Sequence, residues 1–337
     1  MKLIFTLFTC LLCLFTFSQN REEVKAYYSS HNQILENFAR SQDTAKYLDE
    51  MSEFIRLNGR NYVRLTHHYR FTDFCLAQKN YELAKLIVQQ RLKYSLAAHY
   101  YFKDTANRNS SDRKVFYNST DVLEIIKNSD TDYKNLMSQV HLFKSIQLNS
   151  LMEIDQFGRT VIYLESMDTL PYMRSDIIKY TDSTNLIKLY EYIEEFGFPD
   201  PDEVGFFTDF IILWHTYCRP CGHNYTLPNG QWYYDYLDSV YYNATLDGLY
   251  RNTSYAYLKD KSQTDTYGTE TYSDCDWKGQ KYVTWFQGKL SGDSYDARNI
   301  DKHRAEIYLP PYWVDAVLNG WEIPADYPIP DDVQLKY

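Results

Sequence analysis

Between Tyr62 and Tyr100 the side chains that can be buried recur at helical spacing, and only Lys79-Asn80 breaks the pattern. Leu65, Tyr69, Thr72, Cys75 and Leu76 fall on one face before the break. Ala84, Ile87, Val88, Leu92 and Leu96 fall on one face after it. A period near 3.6 predicts amphipathic helices over 62–78 and 81–100 and excludes alternating strands there. Two such helices joined by a two-residue turn are expected to pack antiparallel. Residues 20 to about 144 as a whole read as helices, so the expected fold class is mainly α.

The run Phe74-Cys75-Leu76-Ala77-Gln78-Lys79-Asn80-Tyr81-Glu82-Leu83-Ala84 resembles a tetratricopeptide-type helical hairpin, in which small residues let paired helices approach closely. About one repeat is convincing, and arrays need at least three to be stable, so the reading is a helical-hairpin domain. Lys103 to Arg113 is polar without an apolar period and predicts a loop. Ser119-Thr120-Asp121 opens a helix through Asn128, and another is expected from about Asp132 to Lys144. A boundary near residue 145 then gives a helical-hairpin domain over 19–144 and a C-terminal domain over 145–337. In the latter, helices are expected over 146–164 with an interruption at Gly158, and over 183–196 with Asp182 as N-cap and Gly197 past the end. A further helix opens at Pro201 and runs to Tyr217. Helices follow over 232–246, 253–261 and 299–308. Thr264 to Phe286 is rich in Thr, Tyr, Val and Trp around Asp276-Trp277-Lys278-Gly279, which predicts one small β-hairpin. The tail from Leu309, with five of the ten prolines, is expected to wrap the surface.

Met1-Lys2 followed by an apolar run to Phe17 matches an export signal over 1–18 and is shorter than a spanning helix. The expected product is periplasmic or extracellular, with no membrane span once the signal is removed. Loss of Lys2 moves the net charge from −10 to −11. That acidity argues against nucleic acid and anionic lipid as partners, since both are met by clustered Lys and Arg. The 34 tyrosines serve as core and surface filler or as a stacking platform, and the former is the simpler reading. Cys75, Cys218, Cys221 and Cys275 remain after the signal, a number that permits disulfides in an exported chain.

A set of polar residues is spread over the C-terminal half. Asp155 and Arg159 lie four apart on one helix with Gln156 beside them, and His215 follows the apolar face Phe207, Ile211 and Trp214. Tyr267-Gly268-Thr269-Glu270 and Asp301-Lys302-His303-Arg304 complete the set. Each has a plain structural reading: an exposed ion pair, a satisfied histidine, a buried polar network. Gathered in one pocket, His215, Asp155 and Glu270 are candidates for acid–base work. Gln156, Arg159, Tyr267, Asp301 and Arg304 are then candidates for holding a polar substrate.

These signatures, with Asp182 and Asn185, Gly197-Phe198-Pro199, Val204-Gly205 and Asp260-Lys261, resemble a bacterial domain family of unknown function found in exported proteins. The resemblance covers about 145–312. It implies a domain boundary and no reaction. The family pattern has Gln where Trp214 stands, Arg at Lys261, Gln at Glu270 and Arg at His303, so if the family has an active site, the resemblance implies that it is altered or inactive here.

Cys218-Arg219-Pro220-Cys221-Gly222-His223 admits three readings: a local disulfide or unpaired thiols, a zinc site, or a redox pair. A zinc set would draw on Cys218, Cys221, His223 and Cys275 or His215. Export favours the disulfide, and Gly222 displaces the histidine that haem attachment needs. The leading expectation is a non-catalytic envelope protein that binds a protein or peptide. The alternative is a hydrolase-type enzyme with His215 as base, Asp155 or Glu270 as helper, and Arg159 and Arg304 as clamps.

Overall fold

The computed structural model describes residues 2–66, 68–164, 171–205, 226–227, 230–231, 233–264, 282, 299–321, 323, 327–331 and 333. The protein is mainly helical, and no strand occurs among the described residues. The hairpin expected over 264–286 falls outside them, except for Thr264, which closes a helix, and the single residue Tyr282. Two compact units form. The first holds Met1–Arg91, Tyr241–Asp260 and Lys278–Tyr337, the second Leu92–Val240 and Lys261–Trp277.

In the first unit, α1 (Lys2–Ser41) packs against α2 (Thr44–Leu65). Val24, Tyr27 and Tyr28 of α1 are buried, as are Met51, Phe54, Ile55 and Tyr62 of α2. The turn between the helices is made by Gln42 at φ +55°, and by Asp43, whose carboxylate accepts from the Lys46 N–H. The helix expected over 62–78 is divided. The chain turns extended at Thr66 before α3 (His68–Ala77) begins.

The predicted break at Lys79-Asn80 is present and has a clear local cause. Lys79 takes φ +57°, and the Asn80 N–H bonds back to the Cys75 carbonyl at 2.8 Å. The Asn80 side chain then caps α4 (Tyr81–Tyr94) through the Leu83 N–H at 3.1 Å.

In the second unit, α5 (Leu96–Lys103), α6 (Thr105–Ser110), α7 (Lys114–Tyr117), α8 (Thr120–Asn128) and α9 (Asp130–Met137) form a run of short helices. The expected loop at 103–113 is therefore corrected, since α6 lies inside it. Asp104 caps α6 through the Ala106 N–H at 2.8 Å. Buried Arg108 reaches Asn118 at 3.2 Å, Thr105 at 3.2 Å and the Phe102 carbonyl. The side chain that organises this helix is polar, so a search for apolar periodicity passes over it. α9 also ends at Met137, short of the expected Lys144.

α10 (Leu142–Leu164) runs without interruption through Gly158, and α11 (Pro171–Phe196) packs against it. Asp182 is thus interior to α11 and does not cap it, which corrects a further expectation. The C-terminal end of α11 is as expected, with Gly197 at φ +79° donating to the Ile193 carbonyl at 2.8 Å. α12 (Pro201–Val204) has Pro201 at its start and stops at Gly205, φ +75°; the remainder of the helix expected to Tyr217, residues 206–217, lies outside the described residues.

The remaining helices are α13 (Tyr233–Leu246), α14 (Asn252–Thr264), α15 (Ile300–Glu306) and α16 (Tyr312–Asn319). α16 corrects the expectation of a surface tail: it packs on α1, and Tyr312, Trp313, Val314 and Ala316 are buried with Ala39 and Ile300. Pro311 precedes its first turn, and Gly320 at φ +67° lies past its last. The Arg40 guanidinium lies 4.8 Å from the Trp313 ring centre.

Candidate functional site

Of the residues singled out in the sequence, Asp301 and Arg304 lie in the first unit and are built into its framework. α15 presents both, being only two turns long. Arg304 is fully buried. Its Nε donates to the Pro310 carbonyl at 2.7 Å, one terminal nitrogen to the Tyr282 carbonyl at 2.8 Å, and the other to the Asp315 carboxylate. Asp301 accepts from the Tyr312 N–H at 2.7 Å and from the Tyr327 hydroxyl at 2.6 Å. Burial and this neighbouring carboxylate push the Tyr327 hydroxyl pKa well up.

Asp260 of α14, also fully buried, accepts from the Tyr282 N–H at 2.8 Å. His303 stands 3.4 Å from Glu306 on the flank of α15. The planar fork of Arg304 thus ties residue 282, the chain after α15 and α16 together, which a point-charge ammonium cannot do with one geometry. Substrate-clamp chemistry would require an Arg with donors facing open space. Arg304 spends its three nitrogens on protein acceptors.

Asp155 and Gln156 lie in the second unit on α10. Asp155 is fully buried and accepts from the exposed Gln156 amide at 2.8 Å. The reason lies in the helix face: Leu148, Leu151 and Asp155 follow at spacings of three and four, so the carboxylate continues the buried stripe of two leucines. The facing helix α11 supplies more buried polar groups, namely Thr181, Asp182 and Asn185, followed along the helix by buried Leu186, Leu189, Tyr192 and Ile193. Asn185 is 1 % exposed, and neither its amide nitrogen nor its amide oxygen has a hydrogen-bond partner. The sequence signal for this residue was its spacing of three from Asp182 within the family-like pattern. It did not enter the candidate set because Asp182 reads there as a helix cap.

His215, Tyr267, Glu270, Cys218, Cys221, His223 and Cys275 lie outside the described residues, as does the side chain of Arg159. Of the cysteines, Cys75 is described: it is a free thiol buried on α3, and burial pushes its pKa up to about 12. A thiol held protonated in this way is a poor nucleophile and metal ligand. Among the described residues no group of three or more His, Cys, Asp or Glu is placed to hold a metal ion. No described helix is long and apolar enough to cross a membrane. No family model, no curated protein and no solved structure matches this chain.

Proposed function

We propose that the chain is an exported helical protein that binds a protein or peptide partner and performs no chemistry of its own. The observation that carries this reading is the opening of α10, where Leu142, Phe143 and Ile146 are 70 %, 55 % and 57 % exposed. Leu142 and Ile146 are four apart and share a face, and Phe143 meets Phe196 of α11 edge to face at 6.1 Å. Lys144 sits among them, paired with Glu203 at 2.6 Å. Three contiguous large apolar side chains in water are costly to keep at about 25 cal/mol per Å², and such patches on soluble proteins are the usual mark of a docking surface. The signal-like opening run supports export, and the seven ordered signatures support membership of the family of unknown function.

The test is a double substitution on this face, Leu142→Glu with Ile146→Lys, and binding of the purified protein to an array of apolar peptides. Binding that falls at least tenfold at an unchanged thermal midpoint supports the reading. An array that never binds the wild type, or binds both proteins alike, overturns it.

The enzyme reading, with His215 as base, Asp155 or Glu270 as helper and Arg159 and Arg304 as clamps, is favoured by one observation: a carboxylate buried on the helix that also carries Arg159. The framework bonds of Arg304 weigh against its part in that scheme.

A further inference from the structure

α10 carries apolar side chains on two opposite sides. At 3.6 residues per turn Leu142, Ile146, Glu153 and Phe157 fall within about 60° of one another, and the buried stripe of Leu148, Leu151 and Asp155 lies about half a turn away. α11 packs against this helix, yet the first side stays open: Leu142 and Ile146 are exposed, and so is Phe157, at 71 %. From Leu142 to Phe157 the open stripe runs four turns, about 22 Å. A helix with apolar residues on both sides is normally covered on both.

Charge selects what covers it. Between Leu142 and Phe157 the charged residues are Lys144, Glu153 and Asp155. Lys144 pairs with Glu203 and Asp155 is buried, so exposed Glu153, between Ile146 and Phe157, is the charge a partner meets. A second copy of this chain fits poorly. Two-fold pairing of the whole stripe with the helices antiparallel sets Ile146 against Glu153 twice, and parallel pairing sets Glu153 against itself. Either way two carboxylates are covered without a cation. The net charge of −10 adds to the repulsion between copies. A partner helix with a lysine or arginine inside its apolar face meets both demands, apolar on apolar and cation on Glu153. We propose that the outward face of α10 docks a basic amphipathic helix of another protein, laid along Leu142, Ile146 and Phe157 with its cation on Glu153. This rests on the partner-binding reading above and adds the partner's length, shape and charge.

The experiment uses the purified full chain and two fluorescently labelled, end-capped peptides of about 18 residues, long enough to span the stripe. Both are helical with leucines along one face, and they differ in a single central residue of that face, lysine or glutamate. Anisotropy titration is expected to show the lysine peptide bound at least tenfold more tightly. Glu153→Lys should reverse the order, Glu153→Gln should abolish it, and Phe157→Ser should weaken the lysine peptide at least fivefold. Both positions are exposed, so these variants are expected to keep the wild-type thermal midpoint. Equal binding of the two peptides by the wild type, or an order that Glu153→Lys leaves unchanged, overturns this inference. The partner-binding reading then still stands if the Leu142→Glu, Ile146→Lys protein loses both peptides. No binding of either peptide overturns both readings. A wild-type dimer that dissociates in Phe157→Ser, read by sedimentation, also overturns the inference, because a second copy then covers the face.

Discussion

Arg304 and Tyr62 represent opposite cases of a buried polar side chain. Arg304→Lys leaves the Pro310 and Tyr282 carbonyls without their donors and keeps one charge near Asp315. The expected loss is about 2–4 kcal/mol, read from the urea midpoint at unchanged slope. A loss under 1 kcal/mol would show that water or a shifted backbone replaces the guanidinium. Tyr62 is 0 % exposed and its hydroxyl has no partner. Tyr62→Phe removes an unpaid desolvation and is expected to be neutral or stabilising by up to about 1 kcal/mol in the same measurement. A clear destabilisation would mean that the hydroxyl has a partner in solution.

The spacing of Asp301, His303 and Arg304 was readable as a polar signature, but what it is for was not. Acceptors such as the Pro310 and Tyr282 carbonyls are backbone atoms, and backbone atoms leave no trace in residue identity. The same limit applies to Asn185, whose distinction is a missing partner.

At the scale of the elements, stops and starts were legible where one residue type makes them. Gly197 ends α11, Asn80 opens α4 and Pro201 opens α12 for reasons visible in the residues themselves. Elements held by a polar anchor or by a distant partner were not legible. α6 depends on the bonds around Arg108, and α16 on the core cluster it shares with Ala39 and Ile300, more than 250 residues from one another in sequence.

Gly205 tests how strictly such a stop is built. Its φ is +75°, and a Cβ there would lie 2.9 Å from Val140 Cγ2 and 3.1 Å from Leu96 Cδ1. Gly205→Ala therefore adds a crowded methyl to an unfavourable backbone, for an expected loss of about 1–3 kcal/mol in thermal or urea unfolding. Val140→Ala in the same chain should return the crowding part and leave the backbone part, so the two changes will not be additive. Strict additivity would place the whole cost in the backbone.

Across the whole molecule, acid is the condition that should separate the two compact units. Each contains a histidine whose pKa its surroundings lower. In the first, His31 lies against Tyr27 and Phe54, ring centres 6.1 and 5.4 Å away, and burial lowers its pKa from 6.5 to about 4. In the second, fully buried His99 donates from Nε2 to the Leu92 carbonyl at 2.5 Å, with Nδ1 3.5 Å from the Ser129 hydroxyl. Desolvation lowers its pKa; the Leu92 bond and the distant Asp130 and Asp132 pull the other way, and Lys103 adds to the lowering.

Both folded rings therefore resist protonation that the unfolded chain accepts. Above pH 6.5 neither state binds the proton and no stability depends on it. As the pH falls below 6.5 the unfolded state gains protons first, and stability is lost at up to about 1.4 kcal/mol per pH unit per histidine, over a window that for His31 ends near 4. Because His31 keeps some contact with water, about 2 kcal/mol is expected from it in all. With a sequence pI of 5.3 the chain is near zero net charge inside the same window, which favours association over unfolding signals. Hydrogen exchange at low protein concentration is the suitable readout. Protection of α1 and α2 should fall between pH 6.5 and 4.5, and that of α5 and α8 should fall as the pH drops below 6.5. His31→Phe should restore protection in α1 and α2 and leave the loss in α5 and α8, because the α5 histidine is untouched. Recovery in both places would show that the units open as one. Protection that ignores pH in the wild type would mean that neither ring is held neutral by its surroundings.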